Sequence, residues 1–209
     1  MTIHDWASLA LICTLGAFSP GPSLIVILGV TSSEGRKAGF LASFGHGIGV
    51  FLYALMATTG LFVLLKASSE LFTTIQLLGA AFLMYLGLRI LKSVLFKPVV
   101  LTDEKFNKKL ANRFWDGFAI SILNPKIAVF FLSLFSQFLA LGQSSMTHLG
   151  MATVAGLIDT MAYLIMVFTA STSGMRKFLN AYKKTVELVF GVLLCILSAS
   201  LLLKMMFYV

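Results

Sequence analysis

Three polar side chains of this sequence lie deep inside apolar segments, where they could do chemistry. Asp159 comes about 12 residues, or roughly 18 Å of helix, after the start of its segment. A carboxylate at that depth is costly unless it faces a partner or a cavity, and such acids typically bind protons or cations. We therefore predict that Asp159 relays protons or binds a substrate amine. The alternative is a purely structural ion pair with Lys126.

Lys126 and His46 are the other two candidates. Lys126 follows Asn124 and Pro125, of which the first can cap a helix and the second suits its first position. The ammonium then lies beside the positive end of a helix dipole, which favours a nearby anion, either Asp159 or a substrate carboxylate. Extension of the lysine to a membrane surface is the alternative. His46 lies roughly 12 Å into its segment, where it either relays protons or packs as a neutral histidine.

Two proline breaks must position these side chains. Residues 19–23, Ser-Pro-Gly-Pro-Ser, interrupt the first apolar segment, and a shift of 103 positions aligns Gly21-Pro22 with Asn124-Pro125. Helix breaks near the bilayer midplane persist only where the backbone faces protein or a cavity, so paired breaks predict a transport site between two halves. We predict that the proton is carried by Asp159 and His46. The predicted substrate contacts are Ser19, Pro20, Gly21, Pro22, Ser23, Asn124, Pro125, Lys126 and Asp159.

The composition indicates a membrane protein. Hydrophobic residues make up 58% of the chain, charged residues 11%, and the mean hydropathy is +0.95. Apolar segments at about 6–30, 38–65, 70–91, 114–139, 147–170 and 185–207 each reach the roughly 20 residues that a membrane-spanning helix needs. The first segment is too long and lacks the basic flank of a cleaved signal peptide, so we expect it to be retained.

We predict an all-α membrane protein with six transmembrane helices, arranged as two inverted three-helix repeats with broken first helices. The repeats are residues 1–91 and 114–209, and residues 92–113 form a cytoplasmic linker loop. Weaker matches by spacing support the repeat, between residues 49–53 and 159–163 and between Gly79 and Gly191. Glycines within the segments indicate close helix packing.

The basic residues predict the orientation. Loops 31–37, 89–113 and 171–184 contain 13 of the 16 Lys and Arg residues, whereas the other side has only Lys66 and Lys204. By the positive-inside rule the three loops are cytoplasmic and both termini lie outside. We assign the net charge of +8 to topology and lipid headgroups rather than to nucleic acid, since no aromatic platform accompanies it. Five further polar residues are predicted at or near membrane surfaces: His4, Glu34, Asp116, His148 and Glu187.

Several of these motifs together resemble the LysE/RhtB family of bacterial amino-acid exporters. The resemblance covers nearly the whole chain and rests on residues 16–22, 34–39, 78–87, 124–126 and 137–138. It implies an exporter of amino acids or close derivatives in the bacterial cytoplasmic membrane, coupled to the proton motive force. It does not select the amino acid. Because one cation and one acid match the two ends of any amino acid, we expect a small neutral substrate rather than lysine or arginine.

Two other functions would need different sets of residues. An exporter of metal or inorganic ions would need several acids or thiols converging at mid-depth, whereas Asp159 is the clear example. A transmembrane thiol oxidoreductase would need facing cysteines, but Cys13 and Cys195 fall in segments that are not repeat equivalents. We predict no enzyme activity, no cofactor and no bound metal. The expected partners are the amino acid, protons and lipid, and a homo-oligomer is left open.

Overall fold

The computed structural model describes residues 1–19, 21–96, 112–170 and 173–207, and these are helical apart from short connections. Eight helices follow in chain order: α1 (Ile3–Phe18), α2 (Pro22–Glu34), α3 (Arg36–Ala67), α4 (Ser69–Phe96), α5 (Arg113–Ile122), α6 (Pro125–Phe135), α7 (Ser145–Ala170) and α8 (Ser173–Phe207). Pro20 and residues 97–111 of the expected linker loop lie outside the described residues.

Three helices, α3, α4 and α7, are long and apolar enough to cross a membrane by themselves. Helices α1 and α2 are bent by 55° and helices α5 and α6 by 59°, and counting each bent pair as one span gives five. The apolar stretch Glu187–Ser200 of α8 is shorter than a full span. The chain is therefore a multi-pass membrane protein whose breaks fall where the prolines predicted them. The sixth span and the inverted repeat stay predictions.

The outer surface of the bundle is apolar. Large hydrophobic side chains on α3, α4 and α7 are among the most exposed in the structure, although water would disfavour them there. Lipid tails favour the same side chains, so helices that are apolar on all sides fit a membrane span. Examples are Phe44, Met56, Leu78, Leu88, Met161 and Phe168.

Helix α3 lies at the centre of the bundle and contacts both α5 and α7. A side chain on Gly45 would collide with the carbonyl oxygen of Phe114, and one on Gly49 would collide with Ser121, both in α5. A side chain on Gly47 would collide with Thr160 of α7. The glycines of α3 thus bring its backbone close to two neighbours, which confirms the predicted close packing.

A second close contact joins α4 to α8. A Cβ added to Gly87 would lie 2.8 Å from the carbonyl oxygen of Gly191 and 2.7 Å from Cys195 Sγ. The Ser198 hydroxyl donates to the carbonyl oxygen of Ala80 at 2.6 Å, a hydrogen bond fully inside the bundle. Cys195 therefore packs between helices as a small side chain.

An ion-pair network joins the C-terminal end of α2 to the start of α5. The Arg113 guanidinium donates from two nitrogens to the Glu34 carboxylate and from its third, at 3.0 Å, to Asp116 Oδ2. Asp116 is only 8% exposed, so its side chain is turned into the protein, and its position at the membrane interface stays a prediction. Arg113 explains how a carboxylate is accommodated there, because a buried charge needs a hydrogen-bonded partner.

The prediction that His148 lies at the surface is wrong, whereas the interfacial depth of Glu187 stays a prediction. His148 is 2% exposed and its ring meets that of Phe62 edge-on, with centroids 4.4 Å apart. Glu187 is 8% exposed in α8. Both residues lie near the end of a predicted span, but rotation of the helix turns each side chain inward.

We expect Gly45→Ala to destabilise the protein by about 1–3 kcal/mol, the usual cost of overpacking, because the new methyl group would meet the backbone of α5. Gly60→Ala in the same helix is the matched control, since a Cβ there has no neighbour within 4 Å. Thermal unfolding of the purified protein in detergent measures both. Equal midpoints for the two variants would contradict the packing assigned to Gly45.

Candidate functional site

The two helix breaks meet in the middle of the bundle. Helix α2 begins at Pro22 after Gly21, and α6 begins at Pro125 after Asn124. Asn124 Oδ1 accepts a hydrogen bond from the Lys126 backbone N–H at 3.0 Å, and Asn124 Nδ2 donates to Ser23 Oγ at 3.2 Å. One side chain thus caps α6, as the sequence predicted, and holds it against the first turn of α2. Both helix N-termini consequently point their positive ends into the same region.

A carbonyl group freed by the second break also accepts a hydrogen bond. The Tyr53 hydroxyl, from α3, donates to the carbonyl oxygen of Ile122 at 2.9 Å, at the last residue of α5. On the other half, Ser19 N–H donates to the carbonyl oxygen of Gly16 at 3.2 Å and closes the end of α1. Backbone polar groups at membrane depth require such partners.

A cavity lies where the breaks meet. Its walls come from α1, α2, α3, α6, α7 and α8, and its volume is about 70 Å³. That exceeds the roughly 10–15 Å³ that a single water molecule needs, so the space suits a small organic molecule or several waters. Its polar lining residues are Ser19, Gly21, Ser23, His46, Asn124, Lys126, Asp159 and Tyr163.

The cavity wall contains a buried acid–imidazole pair. His46 Nδ1 lies 2.7 Å from Asp159 Oδ2, and the two residues are 1% and 8% exposed. The ring of Tyr163 packs on the imidazole with centroids 4.6 Å apart. His46 Nε2 has no hydrogen-bond partner in the described part of the chain. A buried ring nitrogen without a partner is unusual, and at a cavity wall it is suited to exchanging a proton.

The alternative expected for Asp159, an ion pair with Lys126, is wrong, because His46 takes that place. The Lys126 ammonium lies instead beside Gly21, where an added Cβ would be 3.8 Å from Nζ. The charged groups that act on Lys126 are Glu187, which attracts it, and Arg89, which repels it. The cavity therefore has a cation near the two helix N-termini and an acid elsewhere in its wall.

Cys13 also lines the cavity, whereas Cys195 packs against Gly87. Both thiols are free. Within residues 1–19, 21–96, 112–170 and 173–207, no three His, Cys, Asp or Glu side chains come together as metal ligands would. The chemistry of the wall is thus that of one carboxylate, one imidazole, one amine, one thiol, one side-chain amide and a few hydroxyl groups.

Comparison with known sequences gives the family. The profile of the family described as LysE type translocator matches residues 14–205. The chain belongs to this family of translocators. No solved structure gave a significant match.

The relatives align with different fractions of this chain. An uncharacterised membrane protein of Bacillus subtilis is 26% identical over 203 residues, which is 92% of this chain and 95% of the relative. One of Pseudomonas aeruginosa is 29% identical over 155 residues, 72% of both chains. A protein named leucine efflux protein in Salmonella typhimurium is 32% identical over 120 residues, 57% of this chain and 56% of its own.

The structure brings most of the predicted site residues together. Ser19, Gly21, Ser23, His46, Asn124, Lys126 and Asp159 all line the cavity. Pro22 and Pro125 begin the two half-helices, and Pro20 lies outside the described residues. The aromatic side chains that line the cavity were not predictable from the sequence, because phenylalanine and tyrosine are common throughout an apolar chain. These are Phe130, Phe131, Tyr163 and Phe190.

Asn124→Ala should impair both folding and translocation. The variant loses the cap of α6, which costs about 0.5–2 kcal/mol, and the hydrogen bond to Ser23 inside the cavity wall. Asn112→Ala is the matched control, since Asn112 caps α5 by accepting from Phe114 N–H and is exposed. Thermal stability and efflux are measured for both. We expect the two variants to lose similar amounts of stability but only Asn124→Ala to lose efflux. Equal efflux rates of the two variants would contradict the role of Asn124 in the site.

Proposed function

We propose that this translocator exports neutral amino acids across the bacterial cytoplasmic membrane in exchange for protons. The observation that carries the proposal is the His46–Asp159 pair, which lies in the wall of a cavity between two helix N-termini. The family supplies the translocation, and relatives named leucine efflux protein support an amino-acid substrate. The inner-membrane location follows from the family resemblance.

The two ends of an amino acid fit opposite charges of the cavity. The substrate carboxylate binds at the N-termini of α2 and α6 beside Lys126, where helix dipole and ammonium both favour an anion. Gly21 caps α2 without a side-chain hydrogen bond, so its first turn offers backbone N–H groups to the carboxylate. The substrate ammonium binds the carboxylate of Asp159.

Proton coupling follows from competition for one carboxylate. Asp159 can balance an imidazolium on His46 or the ammonium of a substrate, but a second cation in the buried site would be left without a counter-charge. Protonation of the pair therefore weakens substrate binding, and substrate binding expels the proton. Mutual exclusion of two ligands at a shared site is the thermodynamic basis of exchange.

The helix contacts support the inverted repeat as part of this proposal. Helix α3 packs on α7 and α4 packs on α8, and in a repeat with two equivalent halves these are the pairs of counterparts. Tyr53 and Tyr163, which the sequence spacing makes equivalent, each lie at a break of the opposite half, at Ile122 and Ser23. Such repeats allow the cavity to open to either side in turn.

The two other functions find less support. Ion export needs several convergent ligands, and although the described residues place one carboxylate, one imidazole and one thiol in the cavity wall, no three such side chains come together there. Thiol exchange needs two facing cysteines, and Cys13 and Cys195 have different surroundings.

Asp159→Asn should abolish uphill efflux and the proton release that accompanies substrate binding. The variant keeps the shape of the side chain but removes the negative charge for which proton and ammonium compete. Proton release is measured with a pH-sensitive dye when leucine is added to the purified protein in weak buffer, and efflux is measured in vesicles with an imposed pH gradient. Wild-type uphill efflux by Asp159→Asn would overturn the coupling.

His148→Gln is the control for this experiment. His148 is as buried as His46 but does not line the cavity, so its variant should release protons on leucine addition as the wild type does. Thermal stability of all variants separates coupling from folding. If Asp159→Asn loses stability and downhill efflux together, the pair with His46 is structural.

The orientation is tested with single cysteines at Lys37 and Lys66, which lie at opposite ends of α3. The charge distribution places Lys37 in the cytoplasm and Lys66 outside. An impermeant thiol reagent applied to intact cells should label Lys66→Cys and leave Lys37→Cys unlabelled, with the parent protein as the control for Cys13 and Cys195. The reverse pattern would invert the proposed topology.

A further inference from the structure

We propose that the cavity contains a separate apolar subsite for the substrate side chain. This subsite accepts uncharged aliphatic side chains, and Gly16 and Phe130 set its size limit. The inference rests on the proposed function and adds the substrate class. The proposed function uses the polar part of the cavity wall to bind the substrate carboxylate, the substrate ammonium and the proton. It assigns no role to the apolar part of the wall. That part is formed by Cys13, Gly16, Val50, Phe130, Phe131, Ala155 and Phe190.

Seven of the apolar or thiol lining residues lie in a different layer from the polar ones, whereas Ala17 and Ile127 lie beside the polar residues Ser19 and Lys126. His46 of α3 contacts Asp159 of α7, and five residues further along α3 Phe51 lies against Gly156, three residues earlier in α7. The two helices therefore run antiparallel. Higher residue numbers in α3 and lower residue numbers in α7 therefore lie toward the same end of the cavity.

The apolar layer is one helical turn away from the polar layer. Val50 follows His46 by four residues and Ala155 precedes Asp159 by four, so both lie about 6 Å further along the same direction. Phe130 likewise follows Lys126 by four residues in α6. The six apolar or thiol side chains that form this layer pack together in one contiguous buried cluster: Cys13, Val50, Phe130, Phe131, Ala155 and Phe190.

The chemistry of this layer selects the side chain. A substrate whose ammonium and carboxylate are held in the polar layer extends its side chain toward the aromatic rings, where apolar surface is favoured. None of the described residues that line this layer carries a carboxylate, so the cationic end of lysine or arginine would be buried without a partner. An uncharged side chain meets no such penalty.

Gly16 determines how much room the rings leave. A Cβ on Gly16 would lie 3.3 Å from Phe130 Cζ and 3.7 Å from Phe190 Cζ, so the tips of both rings converge on this position. The rings are held by neighbours, since Phe130 is 6.3 Å from Phe190 and 5.3 Å from Phe131 between centroids. A methyl group at Gly16 therefore takes space from the substrate rather than displacing a loose side chain.

The test compares initial efflux rates of leucine, alanine, phenylalanine and arginine from the same preloaded vesicles. One methylene in an apolar pocket changes discrimination about 10-fold or more. We expect Gly16→Ala to lower the leucine-to-alanine ratio about tenfold, and Phe130→Leu, which shortens one ring, to raise efflux of phenylalanine relative to leucine. Arginine should be the slowest substrate of the wild type. Gly29→Ala is the control, since a Cβ there has no neighbour within 4 Å.

The ratio of two substrates in one preparation does not depend on expression or folding yield. If Gly16→Ala lowers leucine and alanine efflux equally and Phe130→Leu changes no ratio, the apolar layer is only structural and the inference is wrong. Arginine efflux faster than leucine efflux would also overturn it, while leaving the amino-acid exporter intact. If the wild type moves none of the four amino acids, the proposed function itself fails.

Discussion

The structure depends on one requirement, that backbone polar groups freed by a broken helix must be satisfied where no water or lipid can do so. One break lies at Gly21-Pro22 and the other at Asn124-Pro125, and the protein must supply partners at both. Asn124 caps one break and binds the other, and Tyr53 binds the carbonyl of Ile122. The groups left without a side-chain cap, at the start of α2, face the cavity. Location and polarity of the site are therefore consequences of the breaks.

Close backbone packing is the second condition for the site. Gly47 and Gly156 bring α3 and α7 together, and without this approach His46 and Asp159, one on each helix, would not reach the 2.7 Å of their hydrogen bond. A charge-assisted hydrogen bond of that length is strong and depends on geometry. Small residues thus do more than pack the bundle, because they determine which titratable groups face each other.

The sequence predicted those features that are unusual for an apolar chain. Prolines in mid-segment, an acid at Asp159 and a lysine after the second break are all disfavoured in lipid, so each was visible as an exception. The partner of Asp159 was not predictable, since the distance along a span gives depth but not the rotation of the helix. The same limit explains the error at His148, and it explains why depth alone does not reveal that the side chains of Asp116 and Glu187 are buried. Phe130 and Phe190 gave no signal because an aromatic residue in an apolar segment is ordinary.

The Arg113 network at the junction of α2 and α5 has an energetic consequence of its own. Its carboxylate partner Glu34 has a side chain that is 41% exposed, so dissolved ions reach the pair, whereas the side chain of His46 beside Asp159 is only 1% exposed. Salt weakens an ion pair that touches water within a screening length of roughly 8 Å at physiological ionic strength and has little effect on a buried one. Any movement that separates α2 from α5 at this end therefore becomes easier as the salt concentration on that side of the membrane rises, whereas the contact between His46 and Asp159 is shielded from those ions.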